Sequence, residues 1–178
     1  AYSFDGGHIH VENHPSLQMS DALTISAWVK TPEGSKPTVL GKWYQDGKTW
    51  SYALYAYPPA GFRLHDGKGN FVELIGWSIN NKNQWNHLVA TYNGQHAKVY
   101  INGKMEAQVS ANAKIHVNEN PIYVGGAGYG GADHFKGEMD DVRIYNRALS
   151  EAEVAALYEL EKSSVPDDLS PPVIALLG

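Results

Sequence analysis

Apolar and polar residues alternate along many short stretches of this chain, as they do in β-strands that bury one face. Residues 23–30 and 50–57 are strong examples. The second of these stretches stops at Pro58 and Pro59, which cannot continue a ladder of backbone hydrogen bonds. The pattern therefore predicts many short strands separated by turns.

Turn residues indicate how several of these strands pair. Residues 62–75 form two alternating stretches around a polar, glycine-containing loop at 66–70, which predicts a hairpin. Asn-Gly pairs stand at positions 93–94 and 102–103, and both residue types tolerate the positive φ of a tight hairpin turn. We therefore expect residues 85–109 to form a three-stranded meander.

The last predicted strand, residues 139–145, carries acidic residues among apolar ones. Strict alternation places Asp140 on the same face as Val142 and Ile144. Burying an aspartate beside aliphatic side chains is costly unless its carboxylate is hydrogen-bonded, paired or bound to a cation. Asp140 is therefore expected to accept backbone amides, to pair with an arginine such as Arg143 or Arg147, or to bind a metal ion.

One helix is predicted after this strand. Ser150 and Glu153 have the spacing of a capping box, and Val154, Leu157 and Tyr158 follow at helical spacing. About a dozen short strands and a single late helix indicate an all-β fold. We predict a two-sheet antiparallel β-sandwich of the jelly-roll type with one short C-terminal helix.

Composition limits the classes of function. The 178 residues, 43% of them hydrophobic, suffice for one domain, which we place at residues 1–160. We expect residues 161–178 to be a linker into an absent following domain, and the missing initial Met agrees with a piece of a multidomain chain. The net charge of -5 argues against nucleic-acid binding. No apolar run is long enough for membrane insertion, and the absence of cysteine excludes disulfides and thiolate chemistry.

The order of motifs resembles the laminin-G-like (concanavalin A-like lectin/glucanase) jelly-roll family over roughly residues 1–160. The motifs include Phe-Asp-Gly near the start, Trp-Asn-His-Leu-Val-Ala-Thr-Tyr in the meander and Gly-Glu-Met-Asp-Asp-Val-Arg-Ile-Tyr in the last strand. In chain order, the matching segments are residues 4–6, 23–29, 52–54, 85–92, 99–104, 137–150 and 153–158.

The resemblance implies two stacked sheets with the first and last strands side by side. It also implies a calcium ion at the sheet edge, where Asp5 and Asp140 occupy the matching positions. Calcium takes about 6–8 oxygen ligands from carboxylates, carbonyls and water. Ca²⁺ is thus the expected cofactor, with Asp5 and Asp140 as its expected protein ligands and an ion pair or amide contacts of Asp140 as the alternative.

Related jelly-roll glucanases carry their catalytic groups on a Glu-x-Asp-x-x-Glu strand. This chain has Glu138 and Asp140, but Arg143 stands where the third carboxylate is expected. A retaining glycosidase needs two carboxyl groups about 5–5.5 Å apart. We therefore expect no catalytic residues and keep a glycoside hydrolase or lyase only as a remote alternative.

Aromatic residues outside the core motifs suggest a sugar site, because aromatic rings offer large apolar faces to the C–H faces of sugars. Trp43, Trp50 and Trp77 lie near loop boundaries, where we expect exposure. The predicted ligand-binding residues are Trp43, Tyr44, Asp46, Trp50, Trp77, Tyr129 and His134. Although His8 and His10 share a strand face, no histidine spacing is typical of a metal site.

The sequence predicts a lectin-like, calcium-stabilised, non-catalytic module that binds a polysaccharide or glycan. We expect it to belong to a larger extracellular or cell-surface protein. The alternative is an adhesion or structural module that contacts a surface protein through the same domain.

Overall fold

The structure, a computed structural model, describes residues 1–32, 38–43, 50–56, 60–77, 83–126, 134–163 and 175–177, without the side chains of 76–77 and 175–177. Its strands form two sheets, as predicted for an all-β sandwich. In spatial order, one sheet contains β1 (Tyr2–Asp5), β12 (Lys136–Tyr145), β3 (Leu23–Lys30), β8 (Asn86–Tyr92), β9 (His96–Ile101) and β10 (Lys104–Ser110). It becomes seven-stranded because β13 (Ala175–Leu177) pairs in parallel with β12.

The other sheet has six strands, and all of its neighbouring strands are antiparallel. In spatial order it contains β2 (Ile9–Val11), β11 (Ile122–Val124), β4 (Thr38–Trp43), β5 (Trp50–Tyr55), β6 (Ala60–His65) and β7 (Phe71–Trp77). A 3₁₀ turn at Pro15–Leu17 and the helix α1 (Glu151–Glu161) complete the described elements. Among the described residues, no helix has the length and apolar character needed to cross a membrane.

The core lies between the sheets and is built from the alternating apolar residues of both. In β3, Ile25, Ala27 and Val29 are at most 1% exposed, and in the facing sheet Leu54 and Phe62 are fully buried. Burying an aliphatic or aromatic side chain of this size stabilises the folded state by about 1.5–3 kcal/mol. The alternation of apolar and polar residues along the strands therefore determines which face of each sheet packs against the core.

The predicted meander is confirmed. Strands β8, β9 and β10 pair in order, and the turn between the last two places Asn102 at φ +50° and Gly103 at φ +76°. Two consecutive residues with positive φ suit the right-handed twist of a hairpin. The predicted proximity of the first and last strands of the domain is also observed, since β1 pairs with β12.

Strand β12 differs from the prediction at one point. Val142 and Ile144 face the core, but Asp140 lies opposite Trp28 on the outer face of the seven-stranded sheet. The register shifts between residues 140 and 143, and Asp141 has φ +46°. One extra residue in a β-bulge inverts the alternation on either side of it, so the prediction that Asp140 shares a face with Val142 is wrong.

Helix α1 begins at the predicted capping box. Ser150 Oγ accepts from the Glu153 amide at 3.3 Å, and the Ser150 amide donates to Glu153 Oε2 at 2.8 Å. The Glu153 carboxylate accepts from the amide and the hydroxyl of Ser150 and from Arg147, and these hydrogen bonds lower the pKa of Glu153 to about 2. The helix packs Val154 against the outer face of the seven-stranded sheet.

The C-terminal segment was predicted to be a linker from residue 161 onward. Helix α1 extends to Glu161, and residues 175–177 within that segment pair with Arg143–Tyr145 of β12. The described part of the segment therefore contributes a strand to the sheet. The position of the domain boundary stays a prediction.

Candidate functional site

The two outer faces of the sandwich differ in what covers them. Helix α1 lies on the outer face of the seven-stranded sheet. The outer face of the six-stranded sheet carries a cluster of aromatic side chains, made of Trp43, Trp50, Tyr55 and Tyr123. We call this surface, together with Arg63 and Glu73, the aromatic face.

Strand register places one row of residues across the whole aromatic face. Residues directly opposite each other in paired strands point to the same side of the sheet. The row, from β2 to β7, contains His10, Tyr123, Gly41, Ala53, Arg63 and Glu73. Small residues occupy its centre, so larger rings from adjacent positions can lie across it.

Trp43 uses this space. A Cβ atom at Gly41 would fall 1.5 Å from Trp43 Nε1, so the indole lies directly over the glycine. Trp43 is only 5% exposed, and Tyr123 is buried to the same degree. The expectation that Trp43 is exposed is therefore wrong, because packing over Gly41 and Ala53 makes it the floor of the face.

Trp50 and Tyr55 form the half-buried layer above this floor. The Trp50 ring lies 5.6 Å from that of Trp43 and 5.0 Å from that of His65, between ring centroids. Tyr55 contacts Trp43 edge-on at 6.0 Å. The prediction that Trp50 is accessible is therefore consistent with its partial exposure, and Tyr55 adds a second accessible ring.

An ion pair lies beside these rings. Arg63 of β6 and Glu73 of β7 are direct cross-strand partners, and their side chains are 39% and 32% exposed. The Arg63 guanidinium carbon lies 5.3 Å from the centre of the Tyr55 ring. Partial burial disfavours the charge of Arg63, but Tyr55 and Glu73 outweigh this effect and raise the pKa of the guanidinium.

Arg63 and Glu73 are absent from the set predicted from sequence. The hairpin offered a signal, because a turn centred on residue 68 places positions 63 and 73 opposite each other. Charges of opposite sign at such positions predict a cross-strand pair on one face.

Histidines flank the other end of the aromatic face. His10 stacks on Tyr123 at 5.2 Å, and His8 contacts Tyr123 edge-on at 5.1 Å. The predicted site residue His134 is half-buried and stacks on His8 at 5.8 Å. Over the described ranges, no three His, Cys, Asp or Glu side chains are grouped as a metal site requires.

Four predicted site residues cannot be placed fully. Tyr44, Asp46 and Tyr129 lie outside the described residues, and for Trp77 only the backbone, at the end of β7, is described. Their predicted roles stay predictions. Of the predicted ligand-binding set, the structure brings Trp43 and Trp50 together, with His134 near the opposite end of the face.

The two predicted calcium ligands are separated. Asp5 pairs in register with Lys136, which precedes Asp140 by four residues along β12, or about 13 Å. The side chain of Asp5 is 96% exposed and lies 3.7 Å from Lys136 Nζ. Asp140 is buried, and its carboxylate accepts from the Asp141 amide at 2.8 Å. Calcium–oxygen distances of 2.3–2.6 Å do not allow one ion to contact both carboxylates.

A buried polar cluster lies under helix α1, on the other outer face. Glu161 is 3% exposed, accepts from Trp28 Nε1 at 2.9 Å and pairs with Arg143. Ser26 Oγ and Glu161 both approach His87 Nε2, at 2.8 and 3.6 Å.

These contacts do not form a catalytic triad, which places the serine and the acid on different ring nitrogens. Burial, reinforced by the Arg143 charge, lowers the pKa of His87 to about 3. The cluster is therefore a buried attachment of the helix to the sheet.

The family is established by comparison with known sequences. Residues 5–155 match the laminin-G family model described as the concanavalin A-like lectin/glucanases superfamily. The chain belongs to this superfamily, which confirms the resemblance inferred from its motifs. A search of curated proteins found no match.

Solved structures support the same fold. Domain 4 of AbnA, a GH43 extracellular arabinanase from Geobacillus stearothermophilus, in complex with arabinotriose, matches with a TM-score of 0.66 and 23% identity over 88% of this chain and 75% of that one. The binding domain of Paraclostridial Mosquitocidal Protein 1 matches with a TM-score of 0.65 and 22% identity over 85% of this chain.

The ligand-binding domain of botulinum neurotoxin serotype D in complex with N-acetylneuraminic acid matches with a TM-score of 0.68 and 17% identity over 89% of this chain. This chain covers 40% of the mosquitocidal and 41% of the neurotoxin structure. These likenesses show the fold, a concanavalin A-like sandwich whose structural neighbours include binding domains.

Proposed function

We propose that this chain is a non-catalytic glycan-binding module and that the aromatic face is its binding surface. The observation that carries the proposal is the pair of half-buried rings, Trp50 and Tyr55, held over a buried aromatic floor next to Arg63 and Glu73. Such rings stack on the C–H faces of sugars, while neighbouring charged groups hydrogen-bond to hydroxyls.

The contacts of the acidic residues in β12 support a non-catalytic role. Glu138 pairs with Lys30 at 2.8 Å, and Asp140 Oδ1 accepts from the Asp141 amide at 2.8 Å. Arg143 stands at the position where a second catalytic carboxylate would be needed, and it pairs with Asp141 and Glu161. The acidic groups of this strand thus have structural partners, in keeping with the binding role of the structural neighbours.

The wider setting that we propose is a larger extracellular or cell-surface protein in which this module holds a polysaccharide or glycan. Two structural neighbours support this setting. The first is a domain of an extracellular arabinanase with arabinotriose bound, and the second is a neurotoxin ligand-binding domain with N-acetylneuraminic acid bound.

Calcium is a separate part of the proposal, and the family resemblance is what supports it. Because Asp5 and Asp140 are too far apart to share an ion, a calcium site would contain at most one of them. A chelator is expected to lower the melting temperature if the ion stabilises the fold, and Asp140→Ala is expected to remove the difference if Asp140 is a ligand. Equal melting with and without chelator would count against calcium.

Affinity gel electrophoresis and a glycan array, with calcium present, test the proposed binding. Trp50→Ala is expected to weaken retention by about tenfold or more, since ring stacking contributes roughly 1–1.5 kcal/mol or more. Leu160→Ala is the control, because Leu160 is 76% exposed on helix α1. Failure of every glycan to retard the protein would refute the proposal, and release of reducing sugar would show catalysis.

A protein-contact role has one observation in its favour. Phe71 and Ile75, on the edge strand β7 beside the aromatic face, are 59% and 36% exposed. Exposed apolar side chains at a sheet edge can contact another protein. Binding of a surface protein that Phe71→Ser abolishes, without any glycan binding, would favour the adhesion role.

A further inference from the structure

We infer that the aromatic face selects an uncharged glycan, whose neighbouring hydroxyls are held by Arg63 and Glu73 acting together. This inference rests on the proposed function and adds the chemical class of the ligand. It depends on three features of the described residues: the charge balance of the face, the partners of Arg63, and the position of the pair beside the exposed rings.

The charge balance of the face argues against a polyanionic ligand. On the outward positions of the six strands, Arg63 and Glu73 are the permanently charged side chains that the structure describes, and they pair with each other. At the far end of the face, Glu12 follows β2 with its carboxylate 88% exposed, 3.8 Å from His10. With a chain charge of -5, the surrounding field repels an acidic polysaccharide.

The partners of Arg63 argue in the same direction. An arginine that binds a carboxylate or sulfate presents a free fork of N–H donors. Here the guanidinium is already engaged in an ion pair with Glu73 and lies 5.3 Å from the centre of the Tyr55 ring. An anionic ligand would have to compete with the Glu73 carboxylate, whereas an uncharged ligand leaves the ion pair intact.

The pair offers what a neutral sugar requires. The N–H groups of Arg63 that remain accessible can donate to a sugar oxygen, and Glu73 oxygens can accept from a hydroxyl. Direct cross-strand partners have Cβ atoms about 5 Å apart, so the two groups can serve adjacent hydroxyls of one ring. The contact between Arg63 and Tyr55 places these polar groups next to the ring that would stack on the sugar.

Titration with neutral and acidic polysaccharides tests the inference. Arabinan and xylan serve as neutral probes, and polygalacturonate and chondroitin sulfate as acidic ones, each by affinity electrophoresis and calorimetry. We expect a neutral probe to bind with an affinity that changes less than about twofold between about 0.05 and 0.5 M salt, since screening affects charged pairs. Arg63→Gln and Glu73→Gln should each weaken that binding by about tenfold, the loss of one charged hydrogen bond.

Glu73→Gln is expected to change the affinity in opposite directions for the two ligand classes, lower for a neutral glycan and higher for an acidic one. It removes an acceptor that a neutral sugar uses, but it frees Arg63 for an anion. Salt-sensitive binding of an acidic probe to the unmodified chain, at least as tight as that of any neutral probe, would overturn the inference and leave glycan binding standing. Absence of binding to any probe or array glycan would remove the proposed function itself.

Lys98→Gln is the matched control. Lys98 forms an ion pair with Glu151 at 2.8 Å on the opposite side of the molecule. Its substitution changes the net charge as Arg63→Gln does but is expected to leave affinity unchanged. Equal losses from Lys98→Gln and Arg63→Gln would overturn the inference, because they would indicate an effect of net charge. Melting temperatures within a few degrees for all variants show that each is folded.

Discussion

The two outer faces of the sandwich contain similar residue types in opposite environments. Under helix α1, Trp28, His87 and Glu161 are at most 4% exposed and contact one another. On the aromatic face, Trp50 is half-buried, and Arg63 keeps 39% of its side chain accessible. An aromatic ring next to charged groups is therefore a structural device on one face and a candidate binding surface on the other, and the difference is whether a helix covers it.

The largest expected effect that separates the faces is on stability. Trp28→Ala should lower the free energy of unfolding by about 3–5 kcal/mol, because it empties the space between β3 and the helix. Trp50→Ala should cost clearly less, since its ring is partly in solvent already. Urea denaturation of both variants checks this difference; equal losses would show that the aromatic face is as structural as the helix face.

A charge change at the buried cluster should have the next largest effect. Glu161→Gln keeps the shape of the side chain but removes the buried charge that faces Arg143, while the ion pair of Arg143 with Asp141 remains, so the expected cost is about 1–3 kcal/mol. Glu159→Gln, at an exposed ion pair with Lys162 on the same helix, is the control and should show no measurable change. Denaturant midpoints of the two variants distinguish an essential attachment of the helix from a dispensable one.

Acid should weaken the helix face. Burial lowers the pKa of His87 from its ordinary value of 6.5 to about 3, so the folded state disfavours its protonation. The unfolded chain binds a proton at His87 below pH 6.5, whereas the folded chain does so only near pH 3. The contribution of His87 to the free energy of unfolding is therefore complete above pH 6.5 and is lost as pH falls towards 3, by about 1.4 kcal/mol per pH unit. Glu161, Arg143 and Ser26 face this ring. Stability of His87→Gln should be less dependent on pH in this range; an unchanged slope would contradict the assignment.

The start of the helix should matter least. Ser150→Ala removes one side of the capping box and should cost about 1 kcal/mol. Ser150→Asp, which retains a capping oxygen, is the control. A loss from Ser150→Ala as large as that from Glu161→Gln would mean that the cap, and not the buried cluster, holds the helix on the sheet.

Much of the fold was predictable because its signals are local. Alternation in β3 defined its buried face, positive φ at Asn102 and Gly103 formed the predicted turn, and Ser150 with Glu153 formed the predicted cap. Each of these features depends on residues within a few positions of one another. The order of such motifs along the chain was also sufficient to indicate the family.

The candidate site was less predictable because it depends on register between distant strands. The sequence alone indicated surplus aromatic residues, including Trp43 and Trp50, but not which ring is covered. Tertiary structure decided this, since Trp43 lies over Gly41 and becomes buried. It also placed the Arg63 and Glu73 pair beside Tyr55.

Tertiary structure likewise decided the position of Asp140. The sequence showed that Asp140 lies in an apolar strand, but the bulge at Asp141 places the Asp140 side chain on the outer face. A one-residue shift of register exchanges the two faces of a strand, and alternation alone cannot show such a shift. Local sequence therefore determined the elements of this protein, whereas long-range pairing determined which side chains meet.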